Sequence, residues 1–205
     1  MIKKIIFFLF IVSTFLFAEN DLIKRQKSTL VEIEKDIKVN NYTLEEPFIM
    51  VNPFEISPQT ALLIFNTEKK AKIEVFLKDN QTKEEIEIYS SNDYLNTHRI
   101  ELVGLFTGKN ELIIKSKAKF DKVKEKELTV RTERAPKQVK LETITLEKGA
   151  SKYFLLLIPS GPDQNQYLSA YDNQGRLRWY ISKKGISATG SFNRLSNGHY
   201  MVLSG

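Results

Sequence analysis

Nucleophilic, acid–base and metal sites are mostly built from histidine, cysteine and converging carboxylates, and this sequence supplies few of them. It has no cysteine and only two histidines, His98 and His199. A thiolate metal centre and a disulfide framework are therefore excluded, and packing alone must hold the fold. His98 begins a predicted strand beside Arg99, and His199 follows the pair Asn197-Gly198. Both positions suit structural imidazoles, and the two are too far apart in sequence to show a ligand spacing. Ser160-Gly161-Pro162-Asp163 has the outline of a phosphate loop but lacks the glycine spacing and the closing Lys-Ser, so it reads as a turn. The adjacent pairs Glu84, Glu85 and Glu45, Glu46 would point to opposite faces of a strand and form no acid–base pair. Trp179, the single tryptophan, lies in Leu177-Arg178-Trp179-Tyr180 and reads as a packing residue of a sheet. No catalytic, cofactor-binding or metal-binding residue is assigned, and no cofactor is implied.

The N-terminus carries a different signal. Lys3 and Lys4 precede an apolar run from Ile5 to Phe17, interrupted only by Ser13 and Thr14 and closed by the small Ala18. This pattern predicts a signal peptide over residues 1–18, cleaved after Ala18, and hence a periplasmic protein with no stable membrane anchor after cleavage. The run is shorter than the roughly 18 to 20 residues a membrane-spanning helix needs, and Glu19-Asn20-Asp21 follows it. Loss of Lys3 and Lys4 takes the formal charge from +6 to +4. The remaining charges are interspersed, as in Glu125-Lys126-Glu127, with no one-signed stripe of the kind a nucleic-acid groove presents. Nucleic acid is not an expected partner.

The elements that would position any site divide into three stretches. Residues 19–41 place Ile23, Leu30, Ile33 and Ile37 at helical spacing without glycine or proline, which predicts an amphipathic helix. Its stripe approximates a short heptad seam, so docking or homodimer formation stands beside simple packing on its own domain. From Pro47 the pattern becomes short Ile-, Val-, Phe- and Tyr-rich runs separated by turn residues. Seven strands are expected, near 48–51, 60–66, 72–78, 85–89, 98–102, 111–117 and 127–132. Ile73, Val75 and Leu77 alternate with Lys72, Glu74 and Lys78, with Phe76 the exception on the polar face. Such alternation predicts antiparallel strands buried on one side, an immunoglobulin-like β-sandwich over 45–135, with a hairpin at Asp79-Asn80-Gln81. Beyond Arg134-Ala135-Pro136-Lys137 a second β-rich unit is expected over 146–205. Its strands lie near 153–159, 166–172, 177–182, 190–194 and 199–204, with turns at Asp172-Asn173-Gln174-Gly175 and Ser196-Asn197-Gly198.

Three blocks, in order, carry a family resemblance. The first is Asn52-Pro53-Phe54-Glu55-Ile56-Ser57-Pro58-Gln59-Thr60-Ala61-Leu62. The second is the run His98 to Phe106, with Gly104-Leu105-Phe106 at its end and Asn110 before the next alternating strand. The third is Tyr171 to Tyr180 followed by Arg194-Leu195-Ser196-Asn197-Gly198. Together they resemble the N-terminal domain and the first β-propeller blade of bacterial aryl-sulfate sulfotransferases. The resemblance implies an all-β chain: an immunoglobulin-like sandwich followed by one blade of an incomplete propeller. It also implies a periplasmic enzyme passing a sulfuryl group from a phenolic sulfate ester to a phenol through a sulfated histidine. The family's catalytic histidines and arginines belong to later blades, and none maps onto this sequence. A propeller needs about four to eight blades, so the chain is expected to be an N-terminal fragment, inactive by itself. The alternative is a non-enzymatic periplasmic binding or interaction module.

Overall fold

The computed structural model describes residues 2–136, 139, 155–157, 167–172, 174–182, 192–194 and 200–202. The chain forms two compact units, Met1–Asn40 and Asn41–Gly205. The first is a single helix, α1 (Ile2–Val39), so the helix expected over 19–41 is the C-terminal part of a longer one. Neither glycine nor proline interrupts the sequence from Ile2 to Val39, and nothing local stops the helix earlier. Arg25 Nη1 pairs with Asp21 Oδ2 one turn back at 2.7 Å, an exposed pair worth a few tenths of a kcal/mol at about 0.3–0.5. Asn40 ends the helix, its side-chain amide donating to Asp36 Oδ1 at 2.8 Å and its backbone N–H to Asp36 O at 2.9 Å. Among the described residues no helix is long and apolar enough to cross a membrane.

The second unit begins with six antiparallel strands: β1 (Phe48–Val51), β2 (Thr60–Lys78), β3 (Glu85–Ser90), β4 (Leu95–Val103), β5 (Lys109–Ala118) and β6 (Lys124–Arg131). The two segments expected at 60–66 and 72–78 are halves of the single strand β2, so the strand count is six and not seven. Thr67-Glu68-Lys69-Lys70 between them is polar, yet it holds no glycine or proline to turn the chain, and it remains extended with Glu68, Lys69 and Lys70 exposed. Each half has its own partners. Residues 60–66 pair with β1 on one side and β4 on the other, whereas 71–78 pair with β3 and β5, and β6 adds outside β5.

The odd-numbered side chains of β2 face the core on either side of residues 67–70. Ala61, Leu63 and Phe65 from the first half and Ala71, Ile73, Val75 and Leu77 from the second join Ile100, Leu102, Leu112, Ile114 and Val130 in one buried cluster. Both halves of the one six-stranded sheet thus feed a single apolar cluster, as a sheet that curls over its own interior must. In the first half the even positions Leu62 and Ile64 are buried as well, which accounts for the unbroken apolar run there. Phe76, the apolar exception on the polar face, lies under the Lys115 ammonium, 4.5 Å from its ring centroid.

Turn chemistry sets the register at both ends. The block Asn52-Pro53-Phe54-Glu55-Ile56-Ser57 winds from β1 into β2. Asn52 and Glu55 take positive φ (51° and 61°), Asn52 Oδ1 accepts from Ser57 N at 3.0 Å, and the Thr60 hydroxyl donates to Ser57 O at 2.7 Å. The expected hairpin at Asp79-Asn80-Gln81 joins β2 to β3, with Asp79 N donating to Glu84 O and Lys83 N to Asp79 O, each at 2.8 Å.

Further along the chain, β7 (Leu155–Leu157), β8 (Tyr167–Tyr171) and β9 (Leu177–Ser182) form a three-stranded antiparallel sheet, and β10 (Phe192–Arg194) pairs antiparallel with β11 (Tyr200–Val202). Each falls within a run expected from the sequence. The Ser196-Asn197-Gly198 turn, His199 and the Ser160-Gly161-Pro162-Asp163 loop lie outside the described residues.

Candidate functional site

The β8–β9 turn is built by Asp172. Its Oδ1 accepts from Gln174 N at 3.0 Å and from Arg176 N at 2.9 Å, and Gly175 N donates to Asp172 O at 2.9 Å. Gly175 sits at φ 74°, a conformation L side chains resist. This geometry leaves Asp172 Oδ2 for two guanidinium groups: Arg176 Nε at 2.8 Å and Arg178 Nη1 at 3.3 Å. Asp79 repeats the arrangement at the β2–β3 turn. Its Oδ1 accepts from the backbone of Gln81 (2.9 Å) and Thr82 (3.4 Å), and its Oδ2 receives Arg176 Nη1 at 2.6 Å. Each aspartate thus divides its two oxygens between making a turn and holding an arginine.

The loop after β4 completes the junction. Arg178 Nε donates to Gly104 O at 2.8 Å, and the Phe106 ring lies beside both guanidinium carbons, 4.7 Å from Arg176 and 4.3 Å from Arg178. That ring is aimed by a buried polar lattice. Asn110 Oδ1 accepts from Phe106 N at 2.7 Å, while Asn110 Nδ2 donates to Phe106 O at 2.8 Å and Gly108 O at 3.0 Å. The Thr132 hydroxyl donates to Phe106 O at 2.7 Å and accepts from Gly108 N at 2.9 Å. Gln59 Nε2 donates to Thr107 Oγ1 at 2.9 Å. Asn110, Thr132 and Gln59 are all buried, so their polar atoms need these partners.

Burial alone would raise the Asp79 carboxyl, but hydrogen bonds from Arg176, Gln81 and Thr82 and the Arg176 charge outweigh it and hold it at about 2. Burial lowers Arg178, against the attraction of Asp172. The junction is a charge-assisted clamp rather than a reaction centre, because it offers no nucleophile and every carboxylate oxygen in it is already occupied. Beside it opens a groove of about 820 Å³ lined by Phe106, Lys109, Arg131, Arg134 and Arg176. Nearby, the Tyr171 hydroxyl donates to Val139 O at 2.6 Å, with both residues buried.

His98 lies on β4, 4% exposed, its ring tilted on Phe65 at 5.0 Å and its Nε2 3.2 Å from Thr67 Oγ1. It lines neither the groove nor the smaller cavity of about 450 Å³ at Leu44, Asn66 and Lys124. Trp179 is half-buried on β9 opposite Ala170. Glu85 and Glu45 pair with Lys115 and Lys126, at 3.4 and 3.3 Å, and not with their sequence neighbours. Among the described residues no group of three His, Asp or Glu is placed to hold a metal. The junction residues Asp79, Phe106, Asn110, Asp172, Arg176 and Arg178 are what reading the sequence missed. Both aspartates were visible as turn formers, but nothing local announces an ion pair between positions 97 apart.

Known families account for both sides of this junction. Residues 48–133 match the arylsulfotransferase Ig-like domain, and residues 144–205 match arylsulfotransferase (ASST) itself. No curated protein and no solved structure gives a significant match. Asp79, Gly104 and Phe106 come from the first matched stretch and Arg176 and Arg178 from the second, so the clamp joins two modules of one family in their family order. The chain belongs to the arylsulfotransferase family.

Proposed function

We propose that this chain is the N-terminal part of a periplasmic aryl-sulfate sulfotransferase, in which the sandwich is a platform that fixes the first strands of a propeller. The observation that carries this reading is the clamp: Arg176 and Arg178 tie the β8–β9 turn to Asp79, Gly104 and Phe106 of the Ig-like domain. β7, β8 and β9 then correspond to three strands of a four-stranded blade. The reaction moves a sulfuryl group from a phenolic sulfate ester to a phenol. A histidine nitrogen bonds to sulfur as the donor phenolate leaves, and the acceptor oxygen then takes the sulfur and frees the histidine. His98 does not fit that role, since its ring is packed on Phe65 and lines neither the groove nor the smaller cavity. In keeping with the family resemblance, in which the catalytic histidines belong to later blades, the nucleophile is assigned to blades beyond the strands described, and residues 1–205 alone to no turnover.

The test is release of nitrophenol from a nitrophenyl sulfate with a phenol acceptor present. It is run on the purified chain, and on the chain joined in frame to whatever the genomic sequence encodes next. Activity only in the joined protein is expected; turnover by the 205-residue chain, or none by either, would refute the reading. N-terminal sequencing of exported protein checks the leader, with cleavage after Ala18 expected.

A further inference from the structure

The β5–β6 hairpin carries a feature that neither the clamp nor sulfuryl transfer uses. At its tip Asp121 N donates to Ala118 O at 3.3 Å, and the side chains there stand in solvent: Phe120 is 91% exposed and Val123 46%. A phenylalanine so exposed contributes almost no burial to folding. Lys117, Lys119, Lys122 and Lys124 flank it in sequence, all exposed, and none has a carboxylate partner among the described residues. Farther from the tip the same strands neutralise their lysines: Lys115 pairs with Glu85 and Lys126 with Glu45. The tip's one carboxylate, Asp121, is taken by Lys69 at 2.8 Å and so offsets none of the four.

We propose that this tip docks on an anionic phospholipid surface, with Phe120 inserted at the headgroup boundary and Lys117, Lys119, Lys122 and Lys124 against lipid phosphates. An exposed aromatic on a lysine-rich turn combines the two attractions that hold proteins at such interfaces, apolar insertion and opposite surface charge. A protein partner fits less well. A projecting turn of a few residues offers far less than the roughly 800 Å² per partner of a stable protein interface, whereas a lipid boundary admits a single wedge.

The absence of cysteine from the sequence allows Val123→Cys, labelled with a polarity-sensitive dye, to report on the tip alone in the full chain. Vesicles of phosphatidylcholine, with and without a third of phosphatidylglycerol, are the probes. A dye shift is expected only on the anionic vesicles, falling as salt screens it. Partitioning should weaken about fivefold for each Lys→Gln change and about tenfold for Phe120→Ala. All these positions are exposed, so circular dichroism should be unchanged. No shift, an equal shift on phosphatidylcholine alone, or a shift indifferent to the substitutions would overturn the proposal. A response to soluble polyglutamate but not to vesicles would assign the tip to an acidic protein and overturn it as well.

Discussion

Asp79→Asn tests the clamp with the least collateral change. An asparagine Oδ1 still accepts from Gln81 N and Thr82 N, so the turn survives, while the oxygen that accepts from Arg176 becomes an amide donor and both the charge and that hydrogen bond are lost. The wild-type carboxyl sits at about 2 in the fold against an ordinary 3.8. At 1.36 kcal/mol per pH unit that gap is worth roughly 2 to 3 kcal/mol. Because the folded value is the lower one, this stability is fully present above pH 4 and is lost as pH falls towards 2. About half should remain at pH 3. Arg176 retains Asp172 in the variant, which keeps the loss below the roughly 3–5 kcal/mol of a buried pair broken outright. Trp179, the only tryptophan and a β9 residue beside Arg178, gives the signal. Urea unfolding followed by its emission should place the variant roughly 2 to 3 kcal/mol below wild type at pH 7, with the two curves converging near pH 2. Equal midpoints at pH 7, or a deficit that persists undiminished at pH 2, would refute the electrostatic account of the clamp.

Three further outcomes follow from the described geometry. Asn110→Asp turns a carboxylate towards the Phe106 and Gly108 carbonyls that the amide now serves, and should cost about 3 kcal/mol or more in urea unfolding. Gly108 has φ 89° and nothing within 4 Å of where a Cβ would stand, so Gly108→Ala should cost about 1 kcal/mol through the backbone alone, and Gly108→Asn less. Burial holds the His98 imidazole below 6.5, so its neutral form is favoured in the fold and its stabilisation is lost as pH drops below 6.5 through the depressed value. Thermal midpoints of wild type should fall between pH 7 and 5 more steeply than those of His98→Phe.

Sequence legibility followed the range of the forces involved. The alternation of Ile73, Val75 and Leu77, the Asp79 hairpin and the span of β9 were all readable, because each depends on period-two burial or on a turn residue's own side chain. Continuity of β2 was not. Thr67-Glu68-Lys69-Lys70 has the polarity of a loop, and only the partners on either side show that it stays extended. The clamp was hidden for a related reason: Asp172 and Arg176 are near neighbours, but the meaning of Arg176 depends on Asp79, far away in the chain. Gly104-Leu105-Phe106 and Asn110 were noticed as family marks, and the structure supplies their physical purpose, a carbonyl for Arg178 and an amide that aims the ring.

The unbroken β2 strand also fixes a phase. Odd positions face the core both before and after residues 67–70, while the pairing with β4 slips across them, from Asn66 opposite Thr97 to Ala71 opposite Leu95; two residues added or removed keep Ile73, Val75 and Leu77 on the core face, whereas a single one turns them away unless that slip absorbs it. Length variation at this crossing should therefore favour even steps among viable sequences, much as a reading frame favours certain insertions. The four polar residues that look most like a dispensable loop are the ones whose number the sandwich must count.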